Sequence, residues 1–234
     1  MAAFYSSIAS VYEDIFPVGE SQKQLLLDLA GINPVKVLDI ACGTGAYANE
    51  LSLKGHKVTA IDLDEEMIHL ANERYPNVDA RVLSMLDIKD LGDNQFDFIY
   101  SIRNSIVHLK DEAEIEYLIK SIYECLKPGG KILFQIVNYE RILEQGITKL
   151  PLIENDRVKF ERYYTLGDQI DFKTILTTPD TTIENKVVLY PLLAGPLHDI
   201  IEVAGFNDVM LYGNFKQEAF NPNKSFPVVL TALK

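Results

Sequence analysis

Carboxylates accompany two apolar, strand-like runs in the first third of the chain. The first run contains Asp39 and leads into a turn with Gly43 and Gly45, and the second run ends with Asp62. Glycines at these two positions let the backbone turn tightly and approach a ligand that any Cβ would displace. Because open α/β sheets bind ligands at the carboxyl ends of their strands, this arrangement predicts a site for a nucleoside-containing molecule.

The glycine turn by itself fits two cofactors. Residues 43–48 satisfy the dinucleotide-binding pattern with alanine in third place, and Asp62 follows Gly43 by 19 residues, close to the spacing of about 20 expected for a ribose ligand. An NAD-dependent oxidoreductase is therefore one interpretation. Asp39 favours another, because a carboxylate there repels a pyrophosphate and attracts the ammonium group of a methionine moiety, directly or through water. The sequence thus predicts S-adenosylmethionine.

Two carboxylates are candidates for the nucleoside part of this cofactor. Asp62 can accept hydrogen bonds from both ribose hydroxyls, although it could instead cap the following helix, a role that Asp64 could also fill. Asp87 follows the third strand-like run, where it could accept from the adenine amino group while Leu86 and Ile88 contact the ring faces. A solvated loop aspartate is the alternative for Asp87.

The elements that must position these groups alternate between strand and helix. Apolar runs predict five strands, at residues 35–40, 57–62, 80–84, 96–101 and 131–137. Helical periodicity predicts three helices between them, at residues 46–53, 65–74 and 112–126. This alternation is typical of a doubly wound parallel sheet in an α/β fold. The motif Lys127-Pro128-Gly129-Gly130 ends the third helix, because proline cannot continue it and glycine allows the following turn.

The pattern changes after Tyr139. Three segments alternate apolar and polar residues like antiparallel strands, at residues 158–165, 169–177 and 182–190. We interpret residues 139–190 as a cap on the substrate side, inserted within a single domain of residues 1–234. A helix at residues 191–204 and strands at 208–212 and 227–233 complete the predicted fold.

Composition limits the partners of this chain. A formal net charge of -12 with a sequence pI near 4.8 repels a phosphate backbone, so a small molecule is a better substrate than a nucleic acid. No basic segment leads into an apolar one at the start, and no apolar run approaches the roughly 18 residues of a membrane span. We therefore expect a cytoplasmic protein, monomeric or homodimeric, with no membrane or metal partner. Cys42 and Cys125 are expected to be reduced thiols.

The motifs together resemble those of class I S-adenosylmethionine-dependent methyltransferases. The resemblance covers roughly residues 35–137 and rests on Asp39-x-Ala-Cys-Gly-Thr-Gly, Ile61-Asp62-Leu63, Asp87, Phe96-Asp97 and Leu126-Lys127-Pro128-Gly129-Gly130. It implies a Rossmann-like, seven-stranded, mostly parallel sheet with an antiparallel last strand, plus a small antiparallel β cap. The cofactor contacts expected on this basis are Asp39, Ala41, Gly43, Gly45, Asp62, Leu63, Met67, Leu86, Asp87, Ile88, Ser101 and Ile102.

Two further segments are similar to the glycine N-methyltransferase group within that class. These are Asn104-Ser105-Ile106-Val107-His108-Leu109 and the segment Val137-Asn138-Tyr139-Glu140-Arg141-Ile142-Leu143. Arg103 and Glu140 replace a glycine and an aspartate that are usual in the group. The resemblance implies an arginine that binds an acceptor carboxylate, and the candidates are Arg103, Arg141, Arg157 and Arg162.

Methyl transfer is an in-line displacement, so the protein mainly has to hold a lone pair opposite the sulfonium; such positioning can supply about 7–11 kcal/mol. A neutral amine needs no base, whereas a hydroxyl needs one within hydrogen-bond reach. His108 is the candidate base, with a structural or cofactor-edge role as the alternative. Asn138 and Tyr139 are expected to orient an amine from the end of the fifth strand, or else to form a strand-end cap with a buried ring.

Tyr5 and Tyr12 lie seven residues apart on a predicted N-terminal helix, so both occupy one face. Core packing explains that spacing, and so does a lid that brings a tyrosine near the sulfonium, which is what the resemblance implies. We expect a methyltransferase acting on a small molecule, most simply at an amine nitrogen. The alternatives are a small-molecule O-methyltransferase and a regulator that binds S-adenosylmethionine without turnover.

Overall fold

Two β-sheets organise the computed structural model, which describes residues 2–234. The strands are β1 (Lys36–Ile40), β2 (Lys57–Asp62), β3 (Asp79–Val82), β4 (Phe96–Ser101), β5 (Leu126–Val137), β6 (Ile153–Glu154), β7 (Lys159–Thr165), β8 (Ile170–Thr177), β9 (Thr182–Leu189), β10 (Asn207–Tyr212) and β11 (Pro227–Leu233). The helices are α1 (Ala2–Ser6), α2 (Tyr12–Ile15), α3 (Glu20–Ala30), α4 (Ala46–Ser52), α5 (Glu65–Arg74), α6 (Glu112–Cys125), α7 (Tyr139–Glu144) and α8 (Ala194–Val203).

The larger sheet has seven strands in the order β10-β11-β5-β4-β1-β2-β3. Strands β1 to β5 are parallel to one another, whereas β11 runs antiparallel to both β5 and β10. This arrangement confirms the predicted α/β fold. The chain passes from β1 to β2 on one side and reaches β4 on the other, so the strand order reverses between β1 and β4. Open α/β sheets bind ligands at such a reversal, beyond the carboxyl ends of the strands.

The sequence explains why the strands of the larger sheet and the helices that cover it form where they do. Strands β1 and β4 are buried over nearly their whole length, as expected for parallel strands covered by helices on both faces. Helix α6 buries Ile115, Leu118, Ile119 and Ile122, which lie on one face, and the Asp111 carboxylate caps it by accepting from the Glu114 N–H at 3.1 Å. The helix ends before the proline-glycine turn, which the structure includes within β5.

The smaller sheet lies in the chain between α7 and α8 and contains β6, β7, β8 and β9, all antiparallel. Its three long strands were predicted from alternation, whereas β6 is too short to give a pattern. Helices α3 and α7 were not predicted either. Helix α8 begins at Ala194 rather than residue 191, and Leu193 precedes it with extended backbone.

The N-terminal residues form two short helices rather than the single predicted one. Ile8 and Val11 have ψ near zero, and a 3-10 turn at Ala9–Val11 separates α1 from α2. Ile8 and Ile15 pack with Phe160 of β7 in a hydrophobic cluster of their own. The N-terminal segment is therefore held against the smaller sheet. Within residues 2–234, every helix is too short or too polar to cross a membrane.

Candidate active site

Two cavities adjoin at the carboxyl edge of the larger sheet. The first cavity, of about 210 Å³, lies against the glycine turn after β1 and includes Asp62 in its lining. The second cavity, of about 360 Å³, lies between the end of β4 and the smaller sheet. Tyr5, Tyr12, Arg103 and His108 line both, so the two cavities meet at these side chains. This junction occupies the position expected from the reversal of strand order.

The glycine turn forms one wall of the first cavity. Gly43 has a φ of +57°, and a Cβ added there would lie 3.0 Å from a ring carbon of Tyr12. Ala41 also lines the cavity and has a φ of +59°, an uncommon value for a residue with a side chain. Gly45 does not line it. Gly45 has a φ of +79° and directly precedes α4. A Cβ added there would lie 3.2 Å from the Cβ of Ala71, so the glycine lets this turn pack closely against α5.

Asp62 faces the first cavity and also holds the glycine turn. Its Oδ2 accepts from the Gly43 N–H at 2.9 Å and its Oδ1 accepts from the Asp64 N–H at 3.0 Å. Burial raises the pKa of this carboxyl group. Asp64 caps α5 by accepting from the N–H groups of Glu66 and Met67, both at 3.1 Å. Asp64 therefore fills the helix-cap role that was the alternative for Asp62, and the remaining lone pairs of the Asp62 carboxylate are available to a ligand.

Asp39 lies behind the cavity rather than in its wall. The carboxylate is buried and accepts a hydrogen bond from Tyr100 Oη at 2.7 Å. Burial raises the pKa of Asp39 to about 7. Ala41 and Gly43 line the first cavity instead of Asp39, so the expected attraction of an ammonium group, directly or through water, stays a prediction. A contact between Asp39 and a ligand would need a bridging water.

The expected adenine contacts are corrected in part. Leu86 lines the first cavity, but the Asp87 side chain is exposed outside it and Ile88 is buried in the main hydrophobic core. The reason is that β3 ends at Val82, two residues before the predicted end of the strand. The residues that follow it directly, at positions 83–86, therefore occupy the sheet edge, and Asp87 lies further along a 3-10 turn.

Ser84 and Met85 thus belong to the cavity although the sequence interpretation missed them. Ser84 caps the 3-10 turn by accepting from the Leu86 N–H at 3.1 Å. The signal available in the sequence was the first polar residue after β3, which is Ser84, rather than the first carboxylate. Leu63 and Met67, both expected from the resemblance, do line this cavity.

The segment after β4 connects the two cavities. Ser101 lines neither, because its Oγ donates to the Ile40 carbonyl at 3.0 Å between β4 and β1. Ile102 lines the second cavity only. Arg103 and Asn104 follow with φ values of +64° and +66°. Two consecutive left-handed residues with side chains are strained, and such strain concentrates at functional sites.

Asn138 does not face the cavities, which corrects its expected role. Its Nδ2 donates to the carbonyls of Pro222 and Ser225 at 2.8 and 2.9 Å, and its Oδ1 accepts from the Arg141 N–H at 3.2 Å. The amide is therefore fully used in capping α7 and anchoring the loop before β11. Its position follows from the end of β5, where the chain turns into α7 inside the protein.

Tyr139 lies one layer behind the second cavity. Its hydroxyl accepts from Asn104 Nδ2 at 2.9 Å, and the Asn104 Oδ1 accepts from the Val137 N–H at 2.8 Å. Asn104 lines the cavity and Tyr139 does not. The ring of Tyr139 is fully buried, and burial raises its pKa. Tyr139 therefore holds the side chain of Asn104, which is the member of this pair that lines the second cavity.

His108 is at the junction of both cavities. It ends a 3-10 turn, Ile106–His108, that follows β4. Its Nε2 lies 2.8 Å from Tyr5 Oη, while its Nδ1 is buried without a hydrogen-bond partner within residues 2–234. Burial lowers the pKa of His108 to about 4, so the imidazole is neutral at physiological pH.

The N-terminal segment covers the junction. Tyr5 and Tyr12 contribute to both cavities, and Glu13 fixes the segment across the glycine turn. The Glu13 carboxylate accepts from Thr44 Oγ1, Arg74 and Tyr75 Oη at 2.8 to 2.9 Å. The expected lid position of the two tyrosines agrees with this arrangement, and their role in binding stays a prediction.

The comparisons with known proteins agree with this geometry. Residues 37–130 match the family described as methyltransferase domain. This match confirms, over those residues, the predicted class I S-adenosylmethionine-dependent methyltransferase domain. The match supports the predicted cofactor, S-adenosylmethionine, over the alternative of an NAD-dependent oxidoreductase. The residues present suit this cofactor, since Gly43 leaves room beside Tyr12, Asp62 supplies acceptors for a ribose, and Met67 and Leu86 offer apolar contacts.

The names of the relatives differ in the methyl acceptor that they state, as in glycine/sarcosine N-methyltransferase and ubiquinone biosynthesis O-methyltransferase. The chain is 31% identical to the putative methyltransferase YqeM of Bacillus subtilis over 145 residues, which cover 60% of this chain and 58% of that protein. It is 25% identical to the glycine/sarcosine N-methyltransferase of Aphanothece halophytica over 82% of this chain and 73% of that protein. The chain thus spans little more than half the length of the Bacillus relative.

A solved structure shares the fold over the whole chain. The CcbJ methyltransferase from Streptomyces caelestis superposes with a TM-score of 0.83 at 20% identity, covering 98% of this chain and 97% of that one. At this identity the similarity concerns the fold alone.

Proposed function

We propose that this protein transfers a methyl group from S-adenosylmethionine to an amine nitrogen of a small molecule. The observation that carries the proposal is the junction of two cavities at Tyr12, Arg103 and His108. The first cavity has the groups that suit a nucleoside, and the second is a separate space of about 360 Å³. An acceptor in the second cavity can therefore approach a methyl group presented at the junction.

The protein's contribution is chiefly one of position. Bound S-adenosylmethionine supplies an electrophilic methyl group on its sulfonium. Asp62 and the glycine turn hold the nucleoside end, while Tyr5 and Tyr12 cover the junction and exclude water. Asn104 offers the second cavity a side chain whose rotamer is fixed by Val137 and Tyr139. Holding the reacting atoms in this way supplies about 7–11 kcal/mol of barrier lowering without proton transfer.

The groups lining the second cavity favour nitrogen over oxygen as the nucleophile. Within residues 2–234, no aspartate, glutamate or lysine lines it. Burial raises the pKa of Tyr5 and Tyr12 and raises that of Tyr164 to about 12, so these hydroxyls do not act as bases at neutral pH. The guanidinium groups of Arg103 and Arg162 disfavour an ammonium ion there. An amine in this cavity is therefore held in the neutral, nucleophilic form.

O-methylation is the second candidate, and His108 is the observation that favours it. Its buried Nδ1 has no partner within the described chain, and an imidazole nitrogen that carries no proton can accept the proton of a hydroxyl. With a pKa of about 4, however, the imidazole holds a proton weakly at neutral pH. The two candidates therefore differ in their dependence on this side chain.

The test measures methyl transfer from labelled S-adenosylmethionine to matched amines and alcohols or phenols, after calorimetry has compared S-adenosylhomocysteine with NAD. We expect binding of S-adenosylhomocysteine, transfer to amines, and a His108→Gln variant that keeps the wild-type dependence of kcat on pH. Transfer to hydroxyls that is lost in His108→Gln, with cofactor affinity unchanged, would overturn the choice of nitrogen. Cofactor binding without transfer to any acceptor would instead indicate a regulator.

A further inference from the structure

A glutamine interrupts the apolar interior of β5. This strand pairs with β4 and β11, and the other residues at positions 132–137 are buried and hydrophobic. Gln135 is only partly buried, and it lines the second cavity. A polar side chain inside an otherwise buried apolar run departs from the usual pattern of a strand, and such departures concentrate at functional sites. The surroundings of Gln135 therefore indicate what the second cavity binds.

The second cavity continues into a third cavity that reaches the protein surface. Four side chains line both of them, namely Gln22, Gln135, Phe215 and Phe226. The third cavity has a volume of about 400 Å³. Lys216 and Glu218 line it and are exposed to solvent. A ligand in the second cavity can therefore extend past Phe215 and Phe226 towards the surface.

Two amide side chains present hydrogen-bond donors to this space. Gln135 Oε1 accepts from the Arg103 N–H at 2.7 Å. Asn214, which lines the third cavity, accepts through Oδ1 from the N–H groups of Lys216 and Glu218 at 2.9 and 3.3 Å. Because a backbone N–H can only donate, these bonds fix which atom of each amide is the oxygen. Both amide nitrogens lack an acceptor within residues 2–234, so water or a ligand must supply one.

The charges around the third cavity balance. Among the described residues that line it, Lys216 supplies one positive charge and Glu218 one negative charge, and the others are neutral. A charged ligand group therefore gains no net attraction from this lining. Neutral oxygens of ethers, carbonyls or hydroxyls suit the two amide donors, because each has a lone pair that can accept.

The second cavity favours an apolar body. Its walls include Phe160, Phe172 and Leu189, and its volume of about 360 Å³ lies within the range of about 300–1,000 Å³ typical of pockets for drug-sized ligands. A molecule as small as glycine would leave most of this surface without contacts. The two cavities together suit a longer molecule that is apolar in the second cavity and carries oxygens in the third.

We propose that the methyl acceptor is an elongated amine whose apolar body fills the second cavity and whose neutral, oxygen-bearing tail lies in the third cavity. The tail accepts hydrogen bonds from the amide nitrogens of Gln135 and Asn214. The amino group lies at the opposite end, at the junction with the first cavity. This inference rests on the proposed function, because it identifies the occupant of the second cavity as the methyl acceptor.

The test uses amines that share one body and differ in their tails. The reference is 4-methoxybenzylamine. Its relatives replace the methyl group with one to three ethylene glycol units that end in a methyl ether, and 4-hexyloxybenzylamine has a tail without further oxygens. Calorimetry measures each affinity on protein saturated with S-adenosylhomocysteine. We expect at least one glycol tail to tighten binding about tenfold relative to the reference, as two neutral hydrogen bonds less the cost of ordering the tail would give. If no glycol tail tightens binding, the proposal is wrong.

Two isosteric variants remove the donors and keep the oxygens that the protein uses. Gln135→Glu retains an oxygen for the Arg103 N–H, and Asn214→Asp retains one for the backbone of its own loop. We expect each variant to reduce the gain from the glycol tail to less than about threefold and to leave the affinity for 4-hexyloxybenzylamine within about twofold. Gln169→Glu, an exposed change between β7 and β8, is the matched control and should keep the full gain. An unchanged gain in both Gln135→Glu and Asn214→Asp would overturn the proposal.

A crystal structure of the complex gives a direct measurement. In protein with S-adenosylhomocysteine and the tightest glycol probe, we expect tail oxygens within about 3.2 Å of Gln135 Nε2 and Asn214 Nδ2. A tail that lies outside the third cavity would contradict the proposal.

The two proposals fail in different ways. Protein that methylates amines but gains no affinity from any glycol tail contradicts the elongated acceptor and leaves the proposed function intact. Protein that binds the tails through Gln135 and Asn214 but transfers no methyl group to any amine contradicts the proposed function, while the binding site stands.

Discussion

Replacing Asp62 with alanine separates the two tasks that the structure gives this carboxylate. Its oxygens accept from the backbone N–H groups of Gly43 and Asp64, and its remaining lone pairs face the first cavity. Losing the acceptor for ribose hydroxyls should weaken cofactor binding by about 1–3 kcal/mol, or about 5- to 150-fold in Kd. The unpaired backbone groups should also lower the free energy of unfolding of the ligand-free protein by about 1–3 kcal/mol.

The ribose contribution can be isolated with a second ligand. Calorimetry would compare S-adenosylhomocysteine with its 2′,3′-dideoxy analogue, in the wild type and in Asp62→Ala. We expect removal of the hydroxyls to weaken binding about 5- to 150-fold in the wild type and less than about twofold in the variant, because the variant has already lost their acceptor. Asp79→Ala, which removes an exposed carboxylate from β3, is the matched control and should behave like the wild type.

The comparison has a clear refuting result. If loss of the hydroxyls weakens binding by the same factor in Asp62→Ala and in the wild type, Asp62 does not contact the ribose. Its effect on affinity would then come entirely from its support of the glycine turn.

Three further variants test the surroundings of the site. Burial raises the pKa of Asp39 to about 7, so the carboxyl group of Asp39 binds a proton more tightly in the folded protein than in the unfolded chain. The free energy of unfolding of the wild type should therefore fall as the pH rises from about 4 to 7, by at most about 1.4 kcal/mol per pH unit. Asp39→Asn has no carboxyl group to titrate, so its melting temperature relative to that of the wild type should rise between pH 4 and 7. A difference in melting temperature that does not change with pH would contradict the argument. Asn138→Ala should lower the free energy of unfolding in urea by about 2–4 kcal/mol through the lost cap and loop anchors, and unchanged stability with lost turnover would restore an acceptor role. Glu13→Ala should release S-adenosylhomocysteine about fivefold faster in stopped-flow experiments, equivalent to about 1 kcal/mol, whereas Glu20→Ala, an exposed control, should not; equal rates would exclude a lid held by Glu13.

The parts of the fold that the sequence predicted are those with local causes. The buried strands β1 and β4 appear as apolar runs, and the amphipathic α6 appears as a repeating apolar face, because each pattern depends on residues only a few positions apart. The glycine turn could be recognised because a positive φ such as that of Gly43 favours glycine. The class of cofactor followed from these local features and their order along the chain.

The errors concern residues whose neighbours are distant in sequence. Asp39 was expected at the ligand, but Tyr100 of an adjacent strand takes its carboxylate. Asn138 was expected to face the acceptor, but carbonyls of the loop before β11 use its amide. Asp87 was expected at the adenine, but β3 ends earlier than its apolar pattern suggested. For Asp39 and Asn138, a polar side chain was assigned to a ligand although groups of the protein bind it, whereas Asp87 is exposed to solvent outside the cavity.

The sequence by itself determined the doubly wound sheet, the glycine turn with Asp62, and therefore the methyltransferase class, because strand and helix periodicity and backbone conformation are local properties. Only the tertiary structure decided which polar groups remain without partners. Arg162 is the clearest case. Four arginines were equal candidates in the sequence, and packing left the Nε of Arg162 buried beside the second cavity with no hydrogen-bond partner within residues 2–234. Hydrogen-bond satisfaction depends on every group that the fold brings within about 3 Å, and that information exists only after the chain has packed.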